Sequence, residues 1–137
     1  METVPTPSLQ EISRDGHYIA YATGVVYDKN TGLEWYAGPD RDTTWNEAKA
    51  WVDSLNVAGG GWRMPTSDEL KTLYQKGVGT RNMTPLLKTT DCQVWSGKTR
   101  DSSAAILFYF CYGHANLGYR DFSTSGVRGF AVRSRRQ

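Results

Sequence analysis

The stretch Gly59-Gly60-Gly61-Trp62-Arg63-Met64-Pro65-Thr66-Ser67-Asp68-Glu69-Leu70 decides how the rest of the chain is arranged. Its three glycines end the preceding element, because only glycine takes a positive φ without steric cost. Trp62 is a large apolar anchor, and Pro65 holds the chain extended just before a helix. In the capping box that follows, the Thr66 side chain accepts from the amide of Glu69, whose carboxylate reaches back. The stretch therefore predicts an architectural joint between two helices.

Two amphipathic helices are predicted on either side of this joint. Residues 44–47 form a second capping box, and the helix that begins there should run to about residue 55. Its apolar side chains fall within a sector of about 120°: Trp45, Ala48, Trp51, Val52 and Leu55. The second helix should run over residues 67–75, with an apolar face formed by Leu70, Leu73 and Tyr74. Both faces are expected to pack on a sheet, with Trp62 in the core.

The remaining apolar runs are rich in β-branched and aromatic residues and predict strands. The run over residues 104–112 is the longest and is expected to be a central strand. The polar stretches 76–93 and 113–126 are predicted to be loops, and a loop as long as the first is often functional. Strands are predicted over residues 18–21, 25–27, 33–35, 93–96, 104–112 and 127–134.

Length and composition predict one compact domain. The chain has 137 residues, of which 12% are aromatic and 22% are charged. The net charge of +2 is too small to indicate nucleic-acid binding. No apolar run reaches the ~18 residues that would insert into a membrane. Residues 1–16 are predicted to be a flexible lead-in and residues 17–137 the domain, and the arginines among the last five residues are typical of a solvated tail.

Four motifs in a fixed order resemble a known family. They are DKNTGLEW at residues 28–35, GGGWRMPTSDEL at 59–70, VWSG at 94–97 and GFAVRSRR at 129–136. Together they resemble the bacterial DUF1566 domain, found at the C-terminus of the Legionella collagen-like adhesin. The resemblance covers roughly residues 17–136. It implies an α+β, C-type-lectin-like fold, with two helices packed on a twisted antiparallel sheet and long loops, and a secreted or surface-bound binding module.

The resemblance also bears on the location of the protein and its cysteines. Residues 1–7 contain no signal peptide, so an exported protein would have lost its export signal. The expected location is secreted, periplasmic or cell-surface, and a cytoplasmic location stays open. Export predicts a Cys92–Cys111 disulfide, whose loop of about twenty residues would stabilise the fold by about 3 kcal/mol. The alternative is that the two cysteines miss the ~5.5 Å Cα spacing that a disulfide needs.

No metal or other cofactor is predicted. His17, Cys92, Cys111 and His114 do not follow a zinc-binding spacing. Many animal C-type lectins bind sugar through calcium with Glu-Pro-Asn or Gln-Pro-Asp and Trp-Asn-Asp triplets, and this sequence contains none of them. Arg63 is expected to pair with a carboxylate near the helix joint in preference to an anionic ligand.

An enzyme is the first alternative to a binding module. Cys111 and His114 could form a nucleophile and base, although a cysteine in an apolar strand is more typical of a small buried hydrophobe. The formylglycine-generating oxidases share the lectin-like fold, but they use a closely spaced cysteine pair, whereas Cys92 and Cys111 are nineteen residues apart. A second alternative is a structural module of a surface or fimbrial assembly.

The segment after the long predicted strand is the candidate binding site. Flat aromatic faces and planar polar groups suit a glycan or protein ligand at low conformational cost. Arg120 would suit sulfate or carboxylate groups, in agreement with the glycosaminoglycan binding that the resemblance implies. The long 76–93 loop is expected to wall the same site, and the alternative is that these side chains only cover the sheet. The predicted calcium-independent site comprises Tyr112, His114, Asn116, Tyr119 and Arg120.

Overall fold

The computed structural model describes residues 10–121 and 127–135, and within them the chain has a mixed α/β architecture. Residues 11–15, predicted to belong to a flexible lead-in, form the first strand, and residues 1–9 lie outside the described part. The elements are β1 (Glu11–Asp15), β2 (Tyr18–Tyr21), β3 (Val26–Asp28), β4 (Leu33–Ala37), α1 (Trp45–Ser54), α2 (Ser67–Leu73), β5 (Gln93–Thr99), β6 (Ala104–Tyr109), β7 (His114–Tyr119), β8 (Val127–Arg128) and β9 (Phe130–Ser134).

The described strands form two sheets, where a single antiparallel sheet was expected. The first sheet has the order β1-β2-β3-β4-β9, and the second has the order β7-β6-β5-β8 with β5 and β8 parallel. The difference arises at Gly129, which divides the predicted 127–134 strand. Val127 and Arg128 pair with β5, whereas residues 130–134 pair with β4. The last part of the chain therefore joins the two sheets.

The helix joint has the predicted geometry. Gly59, Gly60 and Gly61 have φ values of 95°, 75° and 81°, which the other amino acids rarely adopt. Trp62 is only 7% exposed, and its indole Nε1 donates to the Val57 carbonyl at 2.9 Å. Both capping boxes are present, at the start of α1 and of α2. These local signals placed both helices to within two residues at each end.

The helices pack on the sheets from two directions. Helix α2 buries Leu70 and Leu73 against a core that contains Trp35 and Phe108, one from each sheet. Helix α1 packs Trp45 and Ala48 on Trp95 of the second sheet, and it packs Val52 on Trp62 and Ala131 at the first. Helix packing on β-sheet is thus confirmed.

The two cysteines are bonded to each other. Cys92 and Cys111 form a disulfide with a Cα–Cα distance of 5.4 Å, which confirms the predicted pairing. Cys111 lies just beyond β6 and is exposed, so its interpretation as a buried hydrophobe was wrong. A disulfide sulfur is not a free thiolate, so this state offers no Cys111 nucleophile for His114.

Up to residue 135, the arginines near the C-terminus contact the protein and do not form a solvated tail. Arg133 and Arg135 both bond the carboxylate of Glu34, at 2.8 and 3.1 Å. Arg133 also lies over the Trp62 ring, and Arg135 lies over the Tyr27 ring, at 4.2 and 3.9 Å from the ring centres. Their side chains therefore pack on the first sheet.

Candidate functional site

The candidate residues are arranged along one edge strand that the sequence did not predict. Strand β7 pairs with β6 without a bulge, from Ala104 opposite Tyr119 to Tyr109 opposite His114. Its six residues span roughly 17 Å at about 3.4 Å each. Gly118 allows this pairing, because a Cβ there would lie 2.7 Å from Leu107 Cδ2. The candidate residues are consequently spread along a ribbon and do not converge on one point.

Tyr112 and His114 form an exposed aromatic surface at the β6–β7 turn. Tyr112 is 68% exposed, and its ring stacks on that of His114 with 6.2 Å between centroids and 14° between planes. Tyr109 meets Tyr112 edge-on at 4.8 Å. These contacts fix the orientation of the rings and leave a flat surface open to solvent.

The turn that carries this surface is held from beneath. Cys111 is tied to Cys92 by the disulfide, and Phe110 is fully buried. The Asn82 side-chain amide donates to the Phe110 carbonyl at 3.0 Å, so the long 76–93 loop reaches this end of β7, as expected. Gly113, with φ of 78°, passes so close to Tyr74 that a Cβ would clash with its ring.

The middle of β7 uses its side chains to satisfy its own backbone. Alternate residues of an antiparallel strand direct their backbone groups away from the partner strand. The Arg120 amide donates to the Ser103 carbonyl, so residue 120 directs its backbone groups toward the β6 side. By alternation, residues 115, 117 and 119 direct their backbone N–H and C=O groups outward. Asn116 Oδ1 accepts from the Leu117 amide at 2.9 Å, and His114 Nδ1 lies 3.2 Å from the Ala115 carbonyl. Two outward backbone groups are thereby capped.

A cleft of about 540 Å³ opens at the other end of β7, beside Tyr119. Tyr119 is 59% exposed. Sequence reasoning missed the residues that helix α1 and the β5–β6 turn contribute, because only the fold brings them to β7. The cleft is lined by Thr44, Asn46, Ser102, Ser103, Tyr119, Arg120 and Asp121.

Arg120 supports this cleft through contacts within the protein. Its guanidinium lies over the Trp45 ring, 4.3 Å from the ring centre. Nη1 donates to the Asp101 carbonyl at 3.1 Å, and Nη2 donates to Asn46 Oδ1 at 2.9 Å. The Arg120 carbonyl accepts from the Trp45 amide, so the same residue also anchors helix α1. Arg120 is thus held by helix α1 and by the β5–β6 turn.

The turn between β5 and β6 is fixed by a carboxylate. The hydroxyl and the amide of Ser103 both donate to Asp101 Oδ1, at 2.7 and 2.8 Å. These hydrogen bonds lower the pKa of Asp101, which therefore stays ionised at neutral pH. The turn presents Ser102 and Ser103 to the cleft in a defined geometry.

The predicted residues thus form two sets with Asn116 between them. Tyr112 and His114 lie together at the turn, and Tyr119 and Arg120 lie together at the cleft. Within residues 10–121 and 127–135, no three histidine, cysteine or acidic side chains come together in a way that could hold a metal ion. No helix in the same ranges is long and apolar enough to cross a membrane.

The mixed α/β fold and its internal disulfide define a class of small disulfide-bonded module, and such disulfides are typical of extracellular or surface proteins. A comparison with protein-family models then identifies the family, because the Lcl C-terminal domain matches residues 24–133. The chain belongs to this family, as its resemblance to the collagen-like adhesin predicted, and it is an adhesin-like module. A search of curated proteins found no match.

Proposed function

We propose that this protein is a non-catalytic module that binds glycans without calcium, in a C-type-lectin-like fold, in a secreted, periplasmic or surface-bound protein. One observation carries the proposal. Four large hydrophobic side chains are exposed among the described residues, and three of them lie on β7 or in its turn: Tyr112, Leu117 and Tyr119. Apolar side chains that gather on one exposed strand mark an interaction surface.

The chemistry of this strand favours a sugar. The rings of Tyr112 and Tyr119 offer flat faces for the apolar side of a pyranose, and a tyrosine loses little conformational freedom on binding. Asn116 and the cleft at the end of β7 add amide, hydroxyl and carboxylate groups for sugar hydroxyls. An extended oligosaccharide along β7 would reach both ends of the strand.

Glycan and glycosaminoglycan arrays, run with and without EDTA, test this proposal. We expect the Tyr112→Ala/Tyr119→Ala double variant to lose at least about tenfold in affinity for the strongest parent hit. The matched control is Ile12→Ala, because Ile12 is 67% exposed on β1 of the other sheet. Binding by the parent should survive EDTA. The proposal fails if the folded double variant binds as the parent does, or if EDTA abolishes binding.

A protein ligand is the second candidate, because β7 is an edge strand. Leu117 is 45% exposed, and edge strands accept a further strand from a partner. The caps of Asn116 and His114 would have to move aside for this pairing. Leu117→Lys separates the two ligands, since a charge on the edge hinders strand pairing and leaves both tyrosines in place. If Leu117→Lys abolishes binding of a ligand and the tyrosine double variant still binds it, the ligand is a protein.

A further inference from the structure

We infer that the cleft beside Tyr119 binds an uncharged sugar through Asn46, Ser102 and Asp121, and that Arg120 positions Asn46 and the β5–β6 turn without contacting an anion. The inference rests on the proposed glycan-binding function and specifies its ligand. It follows from the way in which the hydrogen-bonding groups of the cleft are already used.

The Arg120 guanidinium is fixed by contacts within the protein, which restricts how it can meet an anion. Arginine binds sulfate or carboxylate through two parallel N–H groups, which are either on Nη1 and Nη2 or on Nε and one Nη. Nη1 and Nη2 each donate one of their two N–H groups to a protein oxygen, at 3.1 and 2.9 Å. The Nε atom is buried and has no hydrogen-bond partner in the part of the chain that the structure describes, and one face of the group lies on Trp45.

The surrounding charges also disfavour an anion. Asp121 is exposed and lines the cleft, so its carboxylate would face a bound sulfate. Arg100, on the adjacent β5–β6 turn, is paired with Asp101 at 3.1 Å. A like charge next to a bound group weakens binding, and no net positive charge remains here to offset it.

The groups that remain suit hydroxyls. Asn46 spends its Oδ1 on Arg120, and no described residue accepts from its Nδ2, which can therefore donate. The Asp121 carboxylate accepts only, and the Ser102 hydroxyl can do either. Sugar hydroxyls both donate and accept, so this set is complementary to them. The cleft volume of about 540 Å³ lies within the range of about 300–1,000 Å³ usual for small-ligand sites.

The test compares neutral oligosaccharides with heparin as probes on the whole chain. We expect the strongest binding to a neutral oligosaccharide, with affinity changed less than about twofold between about 50 and about 500 mM NaCl. Asn46→Ala and Asp121→Asn should each weaken this binding by about tenfold. Asp53→Asn is the matched control, since Asp53 is an exposed carboxylate at the far end of α1.

Each result separates the inference from the proposed function. Salt-sensitive heparin binding that depends on Tyr119 would overturn the neutral-sugar inference and leave the glycan-binding function intact. A second outcome is neutral-sugar binding that Tyr112→Ala abolishes but Asn46→Ala and Asp121→Asn do not affect. This result would overturn the assignment of the site to the cleft and would keep β7 as the binding site. Binding to neither class of probe would overturn both.

Discussion

Glu69 serves two elements at once. Its Oε1 accepts from the Thr66 amide at 2.9 Å, which closes the capping box of α2. The same carboxylate pairs with both terminal nitrogens of Arg63, at 2.7 and 2.6 Å. The backbone of Arg63 in turn exchanges hydrogen bonds with Val132 of β9. One side chain therefore links the start of a helix to a strand of the first sheet.

The first prediction concerns Glu69→Gln, which keeps the capping box and removes the ion pair. The Arg63 hydrogen bonds are the main cause that lowers the pKa of Glu69. The ionised carboxylate therefore stabilises the fold above its unfolded pKa of about 4.3, and this stabilisation is lost as the pH falls through the folded pKa. We expect Glu69→Gln to cost about 1 kcal/mol at neutral pH.

Thermal unfolding measured from neutral pH down to about pH 3 checks this prediction. The melting temperatures of the parent and Glu69→Gln should converge as the pH falls. Thr72→Ala, an uncharged change at an exposed position of the same helix, is the control and should show no such convergence. A constant difference at every pH would show that the pair does not stabilise the fold.

The second prediction concerns Trp62, the anchor of the helix joint. Its ring lies between Tyr36, with 6.0 Å between centroids, and the Arg133 guanidinium. Trp62→Ala would leave a cavity in this packing, so we expect it to destabilise the protein by roughly 3–5 kcal/mol. Urea unfolding measures the change, and Trp51→Ala, at a half-buried position, should cost less. An unchanged midpoint of urea unfolding would show that Trp62 does not stabilise the core.

For the secondary-structure elements, the helix bounds could be predicted from local sequence signals, whereas the pairing of the strands could not. Helix α1 was expected over residues 44–55 and is observed at Trp45–Ser54, because its capping box is encoded within four residues. Strand β7 lacks apolar alternation, since it is an edge strand whose buried position is the small Gly118. The predicted 127–134 strand is two strands, because its first part pairs with β5 and its second part pairs with β4. No local sequence pattern reveals these distant partners.

The third prediction is that the disulfide holds the β6–β7 turn in place. Replacing both Cys92 and Cys111 by serine should cost about 3 kcal/mol for a loop of this length. The effect should be largest at the turn, so the amides of Tyr112 and Gly113, which donate to the Tyr109 carbonyl, should exchange faster with solvent. Amide exchange measures this, with the amides of α2 as an internal reference.

Thiol titration of the denatured, unreduced parent is the control for that experiment, and it should detect no free thiol. Two free thiols would contradict the disulfide. Unaltered exchange at the turn in the double variant would show that Phe110 and Asn82 hold the turn without it.

For the whole molecule, the candidate residues near β7 could be found in the sequence, whereas the residues that complete the cleft beside Tyr119 could not. The cluster of tyrosine, asparagine and arginine between residues 109 and 120 is visible in the sequence, because these residues are close along the chain. Asn46 and Ser102 join them only because β7 and β6 pair and helix α1 packs on the second sheet. The role of Arg120 was also hidden, since its partners Trp45 and Asp101 are distant in sequence.

Arg128 connects β8 with the segment before α1 and with the long 76–93 loop. It is 5% exposed, on β8 of the second sheet. Its guanidinium bonds Asp40 and Asp42, which precede α1, both at 2.9 Å, and Thr90 of the long loop at 3.1 Å. Burial acts to raise the pKa of Asp40, but the hydrogen bonds from Thr90 and Arg128 outweigh it and lower the pKa. The network therefore needs the ionised carboxylate.

The fourth prediction is that Arg128→Met destabilises the protein by about 3 kcal/mol, because it leaves two carboxylates without their buried partner. The loss should shrink as the pH falls through the folded pKa of Asp40, since protonation removes the charge that Arg128 stabilises. Strand β8 lies at the opposite edge of the second sheet from β7, so glycan binding well below the melting temperature should equal that of the parent. Unfolding curves and binding isotherms on one preparation measure both effects. An unchanged melting temperature would contradict the structural role of Arg128, and lost binding in the folded variant would show that the two edges are coupled.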